Sequence, residues 1–192
     1  MSRPSRNPAV ILNLFFYPRQ TIRLLLEKSD PPVELGLVVL FGLGSVELGG
    51  EQQPLATALA GLGPVFSLVS AVIFGLLYLY TYGLVYALVG GAFGGDALPQ
   101  HTRTAVAWSQ VPPLIAMLIL LPMWAMGVSE LSLQPVALLS TILMLYSFFL
   151  GVMFLAEAHG FSMFKALLTL LISSVVLWLL QVFLAGVLNT FL

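Results

Sequence analysis

Four ionisable side chains stand where an apolar sequence meets water and are of types that could ligate a metal or move a proton: Asp96, His101, Glu157 and His159. Imidazole nitrogen and carboxylate oxygen are donors for zinc or for a harder divalent ion. Glu157 and His159 are two positions apart, so on a regular helix they point in different directions. A shared metal would therefore need unwinding at His159 or ligands from the stretch 90–113. The competing account pairs these acids with Arg103 or Lys165, or leaves each carboxylate in headgroup water, where it costs little. Nucleophilic patterns are thinner. Ser162 and Lys165 make an S-x-x-K without its companion motifs, and there is no H-E-x-x-H, G-x-S-x-G or P-loop. The expectation is a protein that is not an enzyme, with no catalytic residues, no assigned metal and no cofactor.

A second set of polar residues lies inside apolar sequence. Tyr78, Tyr82 and Tyr86 recur every fourth residue, and Ser174, Trp178 and Gln181 mark a similar edge near the C-terminus, continued loosely by Asn189. In hydrocarbon these groups need partners, so their faces look into a helix bundle or a wet cavity. Two readings stay open. One is interhelical hydrogen bonding, worth about 0.6–2 kcal/mol each and enough to orient helices. The other is a polar path through Tyr78, Tyr82, Tyr86, Ser174 and Gln181.

These side chains must be positioned by membrane helices. The chain has 192 residues, 59% hydrophobic and 8% charged, where soluble proteins carry about 25% charged residues. A net charge of −1 gives no cationic footprint for nucleic acid. Cysteine is absent, which removes disulfides, thiolate catalysis and Cys-based metal sites.

The apolar run 9–17 follows Arg3 and Arg6 but is short, contains Asn13 and ends at Pro18 without a cleavage pattern, so no cleavage is expected. Pro18 suits a helix start, and YPRQTIRLLLEKSD gives about three turns before Pro31 and Pro32. Ile22, Leu25 and Leu26 share one face and Arg19 and Arg23 another. This is either an interfacial amphipathic helix with cations towards anionic headgroups or a helix packed on the bundle.

Five spans are expected in an all-α transmembrane bundle: 33–48, 64–90, 105–127, 136–156 and 166–188. The first is short, GGEQQP breaks it, and 55–63 reads as an external or re-entrant turn of helix. The third should start before its prolines and kink at Pro112, Pro113 and Pro122. VSELSLQP reads as a tight turn with Pro135 opening the fourth span, and Gly160 as a helix C-cap in the turn EAHGFSMFK. The doubled spacing Gly90–Gly94 and Gly91–Gly95 reads as a flexible turn rather than a helix-packing face. The division is an N-terminal cytoplasmic or interfacial segment, 1–32, and a five-helix domain, 33–192.

With the N-terminus cytoplasmic, all seven Lys and Arg (Arg3, Arg6, Arg19, Arg23, Lys28, Arg103 and Lys165) fall inside, and Glu47, Glu51 and Glu130 outside. The C-terminus is then outside, the membrane is the cytoplasmic (inner) one, and the lipid bilayer is the first partner.

The basic proline-initiated helix YPRQTIRLLLEK, the turn at Gly90 and Gly91 leading through HTRTAVAWSQVPP to Pro112, and the turn LAEAHGFSMFKALLTLL with Glu157, His159, Gly160 and Lys165 together resemble the Yip domain family. These are the Ypt/Rab-interacting-protein type membrane proteins, and the chain is most similar to the bacterial branch. The resemblance covers nearly the whole chain and implies a five-helix bundle with a cytoplasmic N-terminus. Eukaryotic relatives are linked to membrane traffic through small GTPases, using a long cytosolic N-terminal region and a DLYGP motif. With about thirty residues before its first span and no such motif, this chain gains no support for small-GTPase binding. The resemblance leaves a membrane scaffold that packs against itself or other membrane proteins, with a small transporter or ion-permeation protein as the alternative. The stretch 90–113 is expected to dock beside the turn 157–165, with Arg103 facing Glu157.

Overall fold

The computed structural model describes residues 9–48, 63–126 and 130–191, and every regular element among them is an α-helix. In chain order they are α1 (Ala9–Phe16), α2 (Pro18–Glu27), α3 (Pro31–Leu48), α4 (Pro64–Ala92), α5 (Pro99–Ser109), α6 (Val111–Ala125), α7 (Glu130–His159) and α8 (Met163–Phe191). Proline opens five of the eight or sits in their first turn, where its missing N–H has no partner to lose.

Among the described residues, four helical stretches are long and apolar enough to cross a bilayer: Leu68–Ala92, Pro99–Leu120, Gln134–His159 and Met163–Leu184. A shorter apolar stretch, Pro31–Leu43, lies in α3; at 1.5 Å per residue it covers about 20 Å against a hydrocarbon core of about 30 Å. The chain is a multi-pass membrane protein. The expected break at 49–54 and most of the helix turn at 55–63 lie outside the described residues.

Two boundaries differ from the sequence expectation. The third span does start before its prolines, at Pro99, but its helix is interrupted at Gln110, dividing it into α5 and α6. Gln110 N–H closes a tight turn on the Ala107 carbonyl (3.2 Å) and Leu114 N–H starts the next helix from the Gln110 carbonyl (3.0 Å). Pro112 and Pro113 supply no backbone donors, so the hydrogen-bond ladder of α5 is not continued through the pair and the break falls at Gln110. Conversely, 130–135 is not a turn. α7 runs from Glu130 through Pro135, which withdraws only one backbone hydrogen bond near the helix start, and no glycine lies between 130 and 150 to end it.

α4, α5, α7 and α8 pack pairwise into a ring, each touching the next; α3 lies against α4, α5 and α6, and α2 against α7 and α5. The main core joins all of these layers. Val10, Leu14, Ile22 and Leu25 from the N-terminal segment share it with Val38, Ala105–Trp108, Leu150 and Phe154. Thus α1 and α2 are built into the bundle rather than resting on it. Tyr146 donates to the Leu14 carbonyl (3.0 Å) and stacks on Phe15 at 5.2 Å. That places α1 roughly 16 Å down α7 from Glu157 at 1.5 Å per residue. Leu12 and Phe16 on its other side are exposed.

Candidate functional site at the joined turns and the bundle axis

The α4–α5 turn and the α7–α8 turn form one structure, and His159 is its centre. His159 ends α7 because Gly160 follows with φ +67°, a left-handed value that costs glycine no side-chain clash. Phe161 N–H then reaches back to the Ala156 carbonyl (3.2 Å), closing the helix end in a Schellman arrangement. The buried imidazole lies in a slot whose walls are Gly90 and Gly95: a Cβ on either would overlap it. Phe161 covers the ring, nearly parallel to it at 4.9 Å. Ala97 N–H points to Nδ1 (3.4 Å), so the proton of the neutral ring sits on Nε2 and is donated to the Tyr86 carbonyl (3.2 Å). Asp96 N–H meets the His159 carbonyl at 3.4 Å.

Both ring nitrogens are therefore engaged with backbone, and neither offers a free lone pair to a metal. Asp96, His101, Glu157 and His159 are not gathered into a ligand set; among the described residues no three such side chains come together. Gly90 and Gly91, expected in the turn, are helical in the last turn of α4; the reversal is at Phe93–Gly95, with Gly94 at φ +81°.

Lys165 closes the same junction from the other side. Its Nζ donates to the Phe93 carbonyl (3.1 Å), placing a cation on the C-terminal end of α4. Glu157 does not meet Arg103. It accepts from Arg23 through both oxygens (2.9 and 3.4 Å), with Arg19 at 3.9 Å. The Glu157 hydrogen bond raises the Arg23 pKa above its ordinary value. Arg103 is on the α4 side of α5: a Cβ on Gly83 would come within 2.6 Å of its Cγ. Its guanidinium lies over the Tyr80 ring at 4.9 Å, and its Nε reaches the Pro99 carbonyl at 3.3 Å. The helix period turns it away from α7. The cations of α2 thus contact a carboxylate of α7.

One tie was not foreseen. Glu34 is buried at the start of α3 and its Oε1 accepts from Thr104 of α5 (2.7 Å) and Ser29 (2.9 Å). One turn-edge earlier, Thr102 donates to the Gly83 carbonyl at 2.7 Å. The T-x-T spacing at 102–104 is the signal, since it sends two hydroxyls to two neighbouring helices.

Deeper in the bundle the tyrosines divide. Tyr78 and Tyr82 lie 4.1 Å apart with their rings tilted by 36°, and Tyr82 meets Tyr86 edge-on at 6.1 Å. Gln110 donates to the Tyr78 hydroxyl (2.8 Å), and Gln181 reaches the Tyr82 hydroxyl at 3.5 Å. A cavity of about 220 Å³ sits among α4, α5, α7 and α8, lined by Tyr78, Tyr86 and Ser174, but not by Tyr82 or Gln181. Ser109, Gln110 and Ser147 complete its polar wall. Gln110 is a glutamine of mid-span depth, which is itself a pointer to an internal polar site. Trp178 faces outward, 61% exposed.

A family model described as the Yip1 domain matches residues 12–186. No curated protein and no solved structure matches the chain. The match starts inside α1 and ends inside α8, so it takes in the joined turns, the ring of helices and the docked N-terminal pair. By that extent the chain belongs to the Yip1 domain family of membrane proteins.

Proposed function

We propose that this protein is a non-enzymatic membrane scaffold of the bacterial branch of its family, a five-span inner-membrane protein with its N-terminus in the cytoplasm. It acts by helix packing with itself or with other membrane proteins. The observation that carries this reading is the use made of the polar motif residues. Glu157, His159, Lys165 and Glu34 each join two elements of the fold, and His159 and Lys165 do so through backbone partners. Side chains so occupied supply architecture rather than turnover. The surfaces left for partners are apolar: α7 and α8 expose Leu145, Leu179 and Phe183 along their outer faces. Extraction in mild detergent followed by native mass spectrometry tests this. A self-associated or partner-bound species supports it, and a strictly monomeric, partner-free protein under conditions that preserve membrane complexes overturns it. Topology is tested separately: reporter fusions at Gln52 and at the C-terminus report outside and a fusion within 96–100 reports inside, and any reversal removes the orientation.

The cavity favours a second reading, a small transporter or ion-permeation protein. Ion flux in liposomes that is abolished by Gln110→Leu, a change in the cavity wall, without unfolding would replace the scaffold with it.

A further inference from the structure

The ring of α4, α5, α7 and α8 leaves room on its axis, and the chemistry of that room is specific. Its polar wall is Tyr78, Tyr86, Ser109, Gln110, Ser147 and Ser174, all uncharged. The three serines donate to backbone carbonyls, Ser109 to Val106 (2.9 Å), Ser147 to Ser109 (2.6 Å) and Ser174 to Leu170 (2.8 Å), and so keep only acceptor capacity. Gln110 gives an amide N–H to Tyr78 and retains its carbonyl. Among the described residues the Tyr78 and Tyr86 hydroxyl protons have no acceptor. The cavity therefore presents two O–H donors beside several acceptors, with no charge to balance an ion.

Its opening faces lipid. Phe148, 44% exposed, lines the cavity on α7, and Ser174, also exposed, lines it on α8. Around them Leu145, Leu171 and Val175 are exposed apolar side chains. At about 220 Å³ the space falls below the roughly 300–1,000 Å³ that encloses a whole drug-sized ligand. It suits the head of an amphiphile whose tails stay outside.

We infer that this cavity is a lateral binding site for the hydroxyl- and ester-bearing glycerol end of an uncharged diacylglycerol-type lipid, its acyl chains lying in the bilayer along α7 and α8. Ester carbonyls accept from Tyr78 and Tyr86, and the free hydroxyl donates to the Gln110 carbonyl. A phosphate or amine head would bring an uncompensated charge into a site with no counter-charge. The inference does not depend on the scaffold reading, because its polar contacts lie in the cavity and only the acyl chains share the outer faces of α7 and α8.

The test is photolabelling of the full chain in phosphatidylcholine nanodiscs with a diacylglycerol carrying a diazirine in one acyl chain. Label is expected on the outer faces of α7 and α8 near Phe148 and Ser174, displaced by unlabelled diacylglycerol but not by phosphatidic acid. Tyr86→Phe should lower labelling about fivefold, the effect of one neutral hydrogen bond. It should leave thermal unfolding without the lipid unchanged, because that hydroxyl has no partner among the described residues. Gly151→Leu, which fills the wall of the cavity, should lower labelling further. Equal labelling of wild type, Tyr86→Phe and Gly151→Leu overturns the site, as does equal competition by phosphatidic acid. Displacement by glycerol from the aqueous phase overturns the lipid and makes the occupant a water-soluble solute.

Discussion

Gly90→Ala and Gly91→Ala change neighbouring residues of one helix by the same methyl group, and the structure gives them opposite signs. At Gly91 a Cβ meets nothing within 4 Å. Alanine there removes the conformational entropy penalty of a helical glycine and should stabilise by about 0.5–1 kcal/mol. At Gly90 the Cβ overlaps the His159 ring. The ring is not free to swing away, since it is held by Ala97, by the Tyr86 carbonyl and by Phe161 stacked on it. Overpacking of a filled site costs about 1–3 kcal/mol, and displacing the imidazole forfeits two hydrogen bonds worth about 0.5–1.5 kcal/mol each. The sum is a destabilisation of about 2–6 kcal/mol, less the helix-propensity gain. Thermal unfolding of the detergent-solubilised protein, read by intrinsic fluorescence, measures both variants against wild type. The double variant Gly90→Ala with His159→Ala should recover part of the loss, because the clash and the ring disappear together. If Gly90→Ala is as stable as Gly91→Ala, or if removing His159 gives no recovery, the glycine slot does not exist in solution and the account of the joined turns fails with it.

Other outcomes follow from single contacts. Arg23→Glu should loosen α2 from α7 and raise protease sensitivity near Pro18, and the added change Glu157→Arg should restore protection in low salt more than in high salt. Because its pKa is raised on folding, Arg23 gives a contribution that is fully present below its unfolded value and lost only as pH climbs through the folded one. Protection from that residue should thus stay flat from about pH 5 to 9, and a loss confined to Arg23 within that window would contradict the pairing. Ser173 has a buried hydroxyl with no partner among the described residues, so Ser173→Ala should be neutral or stabilising by up to about 1 kcal/mol in the same unfolding assay. Nitrogen NMR of the labelled protein at neutral pH should find His159 as the Nε2–H tautomer; an Nδ1–H signal would reverse the donor assignment at Ala97.

What the sequence revealed depended on whether the cause was local. Gly160 was legible as a helix stop because its left-handed conformation is a property of one residue. The long apolar runs were legible because hydrocarbon imposes their length. Pro112 and Pro113 announced a disturbance, but whether it would be a kink or an end depended on the turn that Gln110 could close. Pro135 misled for the converse reason: one missing donor near a helix start is tolerated when nothing else ends the run. The partner of Glu157 was not legible at all. Arg103 stands nearer in sequence, yet Arg23 arrives from 134 positions away because Ile22 and Leu25 bury on the other side of the same helix. The cavity was half legible: the tyrosine stripe pointed to an internal polar face, while its other wall comes from single polar residues of α5 and α7 that carry no repeat.

The slot around His159 also has a timetable. Its walls, Gly90 and Gly95, and its donor, Ala97, are made first, and the imidazole that fills it lies 62 positions after Ala97. At about 5–20 residues per second, translation of those 62 positions leaves the cleft open for roughly 3–12 s. Throughout that interval the α4–α5 turn is unlatched, and the C-terminal hairpin closes it on arrival. Completion of this junction is therefore a late event in synthesis, because its central side chain arrives with the C-terminal hairpin.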